Sequence, residues 1–179
     1  MILSLDISSS CTGYSIFDKN KNVDIGFIDL KKYNDLYEKG TEIKRRLFEI
    51  KEKFDIKIIV VEENLQAFRP GLSSAKTLLT LAQFNGLVRW ICFTEFQIIP
   101  EVMNVNTARK ANGIKIEKES KLSTKQQVLN WVSNDAPDIE WPFKTMKAGR
   151  NKGQVIQCDE CFDMADSYVI GKAYVIVNK

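Results

Sequence analysis

The first third of the chain alternates short apolar runs with polar breaks, a pattern typical of β-strands. We predict strands at Ile2 to Asp6, Gly13 to Phe17 and Val23 to Leu30. The polar segment from Asp18 to Lys21 lies between the last two strands and indicates a hairpin turn. A later segment, Ile56 to Val61, is rich in β-branched residues, which favours a central strand covered on both faces.

The rest of the pattern is mainly helical. Charged residues surround apolar positions at helical spacing from Asp35 to Phe54. A second helix from Ser73 or Ser74 to Phe93 is apolar all around, so it is either buried centrally or shared with a partner chain. The further predicted elements are a strand at Glu95 to Val102 and helices at Asn106 to Asn112, Thr124 to Trp131 and Cys158 to Val177, the last one amphipathic. This order predicts an α/β fold with a mixed sheet flanked by helices.

Length and composition narrow the class of protein. A chain of 179 residues fits one domain, which we place at residues 1 to 179. The net charge of +3 is too small to identify a nucleic-acid partner by itself. We find no signal peptide, membrane span or paired-cysteine framework, so we expect a reduced, cytoplasmic protein of a bacterial or phage-infected cell. Cys158 and Cys161 form a lone C-x-x-C, and without two further ligands ordinary thiols are favoured over structural zinc.

The chain contains no histidine. This absence excludes serine and cysteine hydrolases with a histidine base and most zinc hydrolases with histidine ligands. Hydrolytic chemistry would therefore depend on carboxylates, lysines or metal-bound water.

Carboxylates follow two of the predicted strands. Asp6 ends the first strand, and Glu62 follows the Ile56 to Val61 strand. Either residue alone would more often just solvate a strand end. However, Asp163 and Asp166 lie on one face of the last helix, where like charges repel each other unless something compensates them. Mg²⁺ or Mn²⁺ would do so, and two ions about 4 Å apart could clamp a phosphodiester for in-line attack.

Three motifs resemble those of the RuvC-type Holliday-junction resolvases, which have an RNase H-like fold. They are ILSLDISSSCTGYSIFD, IIVVEE and FDMADSYVIGKAY, and the resemblance extends over about residues 1 to 175. It implies that Asp6, Glu62, Asp163 and Asp166 are the catalytic, metal-binding carboxylates, with Glu63 ranked second. It also implies cleavage of branched DNA that leaves 5′-phosphates. Because a four-way junction offers two related strands, we expect a homodimer that nicks it symmetrically.

The resemblance has limits. Many relatives carry Asp-Pro-Gly after the first strand, whereas this chain has Asp6-Ile7-Ser8, which puts the fine substrate preference in doubt. The opening segment alone also resembles sugar kinases and actin-like ATPases, which need a much longer chain. Two alternatives stay open: another RNase H-like nuclease that acts on RNA–DNA hybrids or flaps, and a branch-binding protein that does not cut. We expect the apolar helix ending at Phe93 to form the dimer interface.

Positive charge is concentrated in two segments of the C-terminal half. From Val105 to Asn130, six basic residues minus two acidic ones give a net charge of +4, and Lys144 to Lys152 has four basic residues and no acid. Such segments beside a carboxylate site predict phosphate contacts, and we expect the second to be a mobile loop that orders on DNA. The candidate DNA-binding residues here are Arg109, Lys110, Lys118, Lys121 and Lys125.

The loop from Asn64 to Ser74 supplies two further candidates, Phe68 and Arg69. In the RuvC family an aromatic residue near this point can wedge into the opened junction. Leu65 lies nearer to the expected position, and Phe68 is equally compatible with packing under its own loop.

Overall fold

A computed structural model describes residues 1–63, 75–149 and 152–178 of the protein. The predicted Ser73 or Ser74 helix cap lies outside this part of the chain. The helices and strands of the described residues, in chain order, are β1 (Ile2–Asp6), β2 (Cys11–Asp18), β3 (Lys21–Asp29), α1 (Leu36–Lys53), β4 (Ile58–Glu62), α2 (Ala75–Phe96), β5 (Glu101–Met103), α3 (Val105–Ala111), α4 (Thr124–Asp135), β6 (Phe143–Thr145), β7 (Val155–Gln157) and α5 (Glu160–Val177).

The main sheet has the strand order β3-β2-β1-β4-β5. Strand β2 runs antiparallel to both β1 and β3, while β1, β4 and β5 are parallel. This arrangement confirms the predicted α/β architecture with a mixed five-stranded sheet. The two parallel connections include helices, as parallel strand pairs require.

Two hydrophobic cores lie on the two faces of the sheet. Side chains of a β-strand alternate between faces, so Leu3, Leu5 and Val61 pack against α1 and α2 on one face. Val60 and Phe17 lie in the other core, with residues of α3, α4 and α5. This second face of the sheet is the one that α5 covers.

Helix α5 lies directly against the sheet. Ser4 Oγ donates a hydrogen bond to the backbone oxygen of Ser167 at 2.8 Å. A Cβ at Gly171 would lie 2.4 Å from Ser4 Oγ, so a glycine is needed at this close approach. The amphipathic pattern predicted for this helix is wrong, because α3 and α4 cover the side that faces away from the sheet and most residues of α5 are buried.

The predicted elements differ from the structure at two points. The strand predicted at Glu95 to Val102 is wrong at its start, because α2 continues to Phe96 and only Glu101–Met103 pairs with β4. The sequence also missed strands β6 and β7, which pair on either side of the predicted loop: Lys144 and Thr145 lie in β6, and Met146 to Gly149 and Lys152 lie between the two strands. All four cysteines are free, and no helix in the described ranges has the length and apolar character of a membrane span.

Candidate active site

Strand alternation places two carboxylates at one corner of the sheet. Leu5 of β1 pairs with Val61 of the parallel strand β4, so Asp6 and Glu62 both occupy the position at which their strands end. Neighbouring strands are about 4.8 Å apart. Asp6 points to the same side of the sheet as Ser4, two residues earlier in β1, and Glu62 points to the same side as Val60 in β4. Ser4 and Val60 both face α5. The two carboxylates therefore leave adjacent strand ends on the same side of the sheet.

Helix α5 brings Asp163 and Asp166 to the same corner. Its first turns cross β2 so closely that a Cβ at Gly13 would lie 2.0 Å from the backbone oxygen of Asp163. Gly13 pairs with Asp6 across β1 and β2, which places this crossing next to the end of β1. Asp163 and Asp166 are three residues apart and thus project from the same face of the helix.

Burial and neighbouring negative charge raise the pKa values of Asp6, Asp163 and Asp166. Burial raises the pKa of Asp6 well above its usual range, and the negative charges of Glu62, Asp166 and Asp163 raise it further. Burial, followed by the charge of Glu62, raises the pKa of Asp166 to about 6. The pKa of Asp163 is also raised, chiefly by burial. Buried carboxylates this close together are unfavourable without a compensating positive charge.

Two cations lie against this acidic cluster. Arg109 of α3 lies with a terminal guanidinium nitrogen 3.8 Å from Asp166 Oδ1, and its buried Nε has no hydrogen-bond partner among the described residues. Lys125, in the first turn of α4, lies with Nζ 3.8 Å from Asp163 Oδ1, and its side chain remains largely exposed. Both residues are candidates from the sequence, and the structure places both beside the carboxylates.

The acids that begin α5 face other partners. Asp159 accepts a hydrogen bond from Lys144 Nζ at 2.7 Å, and Glu160 forms an ion pair with Lys31. These lysines hold the pKa values of Asp159 and Glu160 below their usual ranges, although burial opposes the shift at Glu160. Glu63, one residue beyond β4, accepts a hydrogen bond from Asn104 Nδ2 at 2.8 Å. Asp159, Glu160 and Glu63 are thus tied to neighbouring elements.

Sequence reasoning missed two neighbours of the cluster. The buried thiol of Cys11 donates a hydrogen bond to the Asp163 carboxylate, and burial together with that negative charge raises the thiol's pKa. Asn85 of α2 is buried and lines a cleft of about 150 Å³ that opens beside Asp6 and Glu62. The sequence gives no signal for either contact, since each depends on how β2 or α2 packs in three dimensions.

The remaining basic candidates lie further from the carboxylates. Lys110 is exposed and, together with Arg109, lines a second cleft of about 500 Å³ between α3 and the start of α4. Lys118 and Lys121 are exposed on the link between those helices. Phe68 and Arg69, like Leu65, lie outside the described residues.

The donor set of the corner fits a hard divalent cation, because Mg²⁺ and Mn²⁺ prefer carboxylate oxygens. Within residues 1–63, 75–149 and 152–178, no three Cys, Asp or Glu side chains stand close enough together to hold one ion directly.

Comparisons with known proteins agree on the fold. No protein-family model matches the chain, and no curated protein matches its sequence. Thermus thermophilus RuvC in complex with a Holliday junction substrate has a similar structure, with a TM-score of 0.65 at 13% identity over 99% of this chain and 93% of that chain. A second T. thermophilus RuvC structure gives a TM-score of 0.61 at 14% identity, over 99% of this chain and 94% of that one.

A eukaryotic protein has a similar structure as well. The yeast mitochondrial Holliday junction resolvase Ydc2 gives a TM-score of 0.56 at 14% identity, over 98% of this chain and 77% of that chain. At this level of identity the likeness shows a shared fold, and the expected RNase H-like, RuvC-type fold is thereby confirmed.

Proposed function

We propose that this protein is an endodeoxyribonuclease that uses a divalent metal to cleave Holliday junctions or other branched DNA. The observation that carries the proposal is the convergence of Asp6, Glu62, Asp163 and Asp166, from three separate elements, at one corner of the sheet. A fold needs no such concentration of buried negative charge for stability, since removing buried like charges would stabilise it. The RuvC and Ydc2 structures that share the fold support junction DNA as the substrate.

The four carboxylates would hold Mg²⁺ or Mn²⁺, with two ions per site. When bound, such ions polarise the phosphate and supply a nucleophilic water at neutral pH. The chain's own contribution is to place the ligands at the rigid ends of β1 and β4 and on the buried helix α5. Deprotonation of Asp166, whose pKa is about 6, would be required before it binds a metal ion.

The positive residues around the site would bind the DNA backbone. Lys125, largely exposed and close to Asp163, would contact a phosphate next to the one that is cut. Lys110, Lys118 and Lys121 would extend this phosphate contact along α3 and the following link. Arg109 would stabilise negative charge near Asp166. Phe68 and Arg69 remain candidates for contacts at the branch point. Phosphate contacts carry no sequence information, so selectivity would come from the shape of the junction.

We further propose that residues 1–179 act as one domain and that two copies form a symmetric dimer. A four-way junction offers two related strands, and a twofold pair of subunits would present one site to each. The face of α2 that carries Leu79, Trp90 and Phe93 supports this proposal, because all three side chains are exposed on that face.

The proposal is tested by a cleavage assay on synthetic four-way junctions, forks, linear duplexes and RNA–DNA hybrids, each with Mg²⁺, Mn²⁺ or EDTA. We expect symmetric nicks in the junction that disappear in EDTA. Asp6→Asn should abolish these nicks yet keep junction binding, because it removes a metal ligand and one repelling charge. Asp55→Asn, a change at an exposed acid beyond α1, is the matched control and should cut like the wild type.

Other outcomes decide among the alternatives. Cutting confined to the hybrid or the fork would agree with the proposed carboxylate site but would show that the substrate is not the four-way junction. Tight junction binding without any cutting would support a branch-binding protein. Full activity of Asp6→Asn would refute the metal site itself.

A further inference from the structure

The β6–β7 hairpin is a two-stranded ribbon separate from the main sheet. Phe143 pairs with Gln157 and Thr145 with Val155. Backbone hydrogen bonds from Met146 N to Gln154 O and from Gly153 N to Met146 O continue the ladder, and Lys152 N donates to Gly149 O at 3.2 Å. A two-stranded hairpin is marginally stable by itself in water. The stability of this hairpin therefore depends on the contacts of its base and on any partner that covers its faces.

The base of the hairpin is anchored to the start of α5. Cys158 N donates to Pro142 O at 3.0 Å, and Cys161 Sγ lies 3.4 Å from the same oxygen. Lys144 Nζ donates to Asp159 at 2.7 Å. Asp163 follows Asp159 by one helical turn, so the ribbon begins beside the carboxylate cluster and its direction is coupled to the helix that supplies two of the proposed ligands.

The outer part of the hairpin carries positive charge that is not neutralised. Residues 141–158 contain no acidic residue. Lys147 and Lys152 are exposed and have no ion-pair partner among the described residues. The face opposite Lys144 carries Phe143 and Val155, with 62% and 66% of their surface exposed. A basic ribbon with an open face is complementary to a polyanion, and two-stranded ribbons of this kind fit the major groove of DNA.

The length of the hairpin sets how far it reaches. Extended chain rises about 3.3 Å per residue, so Lys147 lies up to roughly 17 Å from the base at Pro142. Phosphates of one DNA strand advance about 3.4 Å each along the helix axis. The lysines near the tip would thus meet phosphates about four to six nucleotides from those that contact the carboxylate corner.

We infer that the β6–β7 hairpin is a DNA-binding arm that grips the duplex of a junction arm through Lys147 and Lys152, several nucleotides from the cut site. The inference rests on the proposed function for the identity of the DNA. Helix α4, which carries Lys125, precedes the arm, and α5, which carries Asp163, follows it. The arm therefore fixes the DNA at a second point, and Lys144 acts as a positioning residue through its ion pair with Asp159.

The test compares the wild type with the double variant Lys147→Ala/Lys152→Ala on a four-way junction in EDTA, where no cutting occurs. The dissociation constant is measured by fluorescence anisotropy from roughly 50 to 200 mM salt, the range over which phosphate contacts change affinity strongly. Loss of two contacts should lower the slope of log K against log salt by about 1.8, since each contributes about 0.9. A hydroxyl-radical footprint should lose protection about four to six nucleotides from the cut site.

The matched control is Lys21→Ala/Lys57→Ala, which removes the same charge. Lys21 begins β3 and Lys57 precedes β4, and both lie near the start of β1, at the end of the sheet away from Asp6. This variant should keep the wild-type slope and footprint. Circular dichroism of each variant checks that its fold is intact.

The outcomes separate the two proposals. An unchanged salt dependence and an unchanged footprint in the Lys147/Lys152 variant would refute the proposal that the hairpin binds DNA, even if the wild type cuts junctions. The expected loss of slope and protection, together with no cutting by the wild type in Mg²⁺, would support the arm and refute the nuclease. If the wild type bound no junction DNA, both proposals would fall.

Discussion

Asp166 illustrates how single side chains in this protein resist ionisation. Its pKa is raised from an ordinary value of 3.8 to about 6, first by burial and then by the charge of Glu62. In the unfolded chain neither influence remains. Between these two values the folded protein holds a proton that the unfolded chain has released, so rising pH in this interval favours unfolding.

This residue-scale shift gives a testable pH dependence for the metal-free protein. The stability that a protonated Asp166 provides should be present at pH 4 and lost as the pH rises through about 6. Each pKa unit corresponds to about 1.4 kcal/mol, so the loss should be on the order of 1 to 3 kcal/mol. Urea unfolding in EDTA at pH 5 and pH 7.5 measures it, and Asp166→Asn should show a smaller decrease than the wild type.

Magnesium should reverse the trend. Metal competes with protons for the same oxygens, so added Mg²⁺ should stabilise the wild type more at pH 7.5 than at pH 5. It should stabilise Asp166→Asn less. Equal pH dependence of unfolding in the wild type and in Asp166→Asn would show that this carboxyl ionises as freely in the folded protein as in the unfolded chain.

The sequence predicted where the acidic residues lie better than it predicted how the side chains of the basic residues are oriented. The convergence of Asp6 and Glu62 could be predicted, because the apolar pattern shows where the two strands end and which residues share a face. The side chain of Arg109 turns inward to Asp166, whereas its sequence context shows only a basic helix end. A sequence shows that a residue is charged, but the orientation of the Arg109 side chain depends on the packing of α3 against α5.

At the scale of elements, the site depends on how closely α5 approaches β2. The two touch at Gly13, where any side chain would collide with the backbone of Asp163. Backbone has no alternative rotamer, so a larger residue at this position must displace the helix. A displacement of about 1 Å can reduce catalysis about a hundredfold.

We therefore predict that Gly13→Ala lowers junction cleavage at least tenfold and destabilises the protein by about 1 to 3 kcal/mol, as overpacking does. Chemical unfolding and single-turnover cleavage measure the two effects. Asp55→Asn, at the exposed acid beyond α1, is the control here as well and should keep wild-type cleavage. Wild-type stability and cleavage in Gly13→Ala would mean that β2 and α5 separate without cost.

Elements with a clear local pattern were predictable, whereas strands β6 and β7 were not. Helix α1 was predicted from Asp35 to Phe54 and runs over Leu36–Lys53, because its apolar stripe and its Asp35 cap are local signals. Strands β6 and β7 have three residues each and no apolar alternation. Their pairing is fixed by the distant contacts of Pro142 and Lys144 with the start of α5, which a local pattern does not reveal.

At the scale of the whole molecule, α1 and α2 cover one face of the sheet, and α3, α4 and α5 cover the other. The carboxylate corner lies between α5 and the side of α2 that carries Leu81 and Asn85, whereas the exposed apolar side chains of α2 lie on another side of that helix. A dimer formed through that other side would leave both carboxylate corners free to bind DNA.

The α2 surface is specific enough to test this arrangement. Leu79, Trp90 and Phe93 lie on one face of the helix, and the Trp90 and Phe93 rings are 5.8 Å apart. A charged residue in the middle of such a face would be buried without a partner in the dimer and solvated in the monomer. Trp90→Glu should therefore shift the protein to monomers, as measured by analytical ultracentrifugation.

The same variant should change the products on a plasmid that extrudes a cruciform. A dimer cuts both strands within one complex and gives linear DNA, whereas separate monomers give nicked circles. The control is Val23→Glu, which adds the same charge at an exposed apolar residue of β3, beside α5 and away from α2. It should remain dimeric and produce linear DNA. A Trp90→Glu protein that stays dimeric would place the interface elsewhere, and a monomeric one that still gives linear DNA would separate paired cutting from dimer formation.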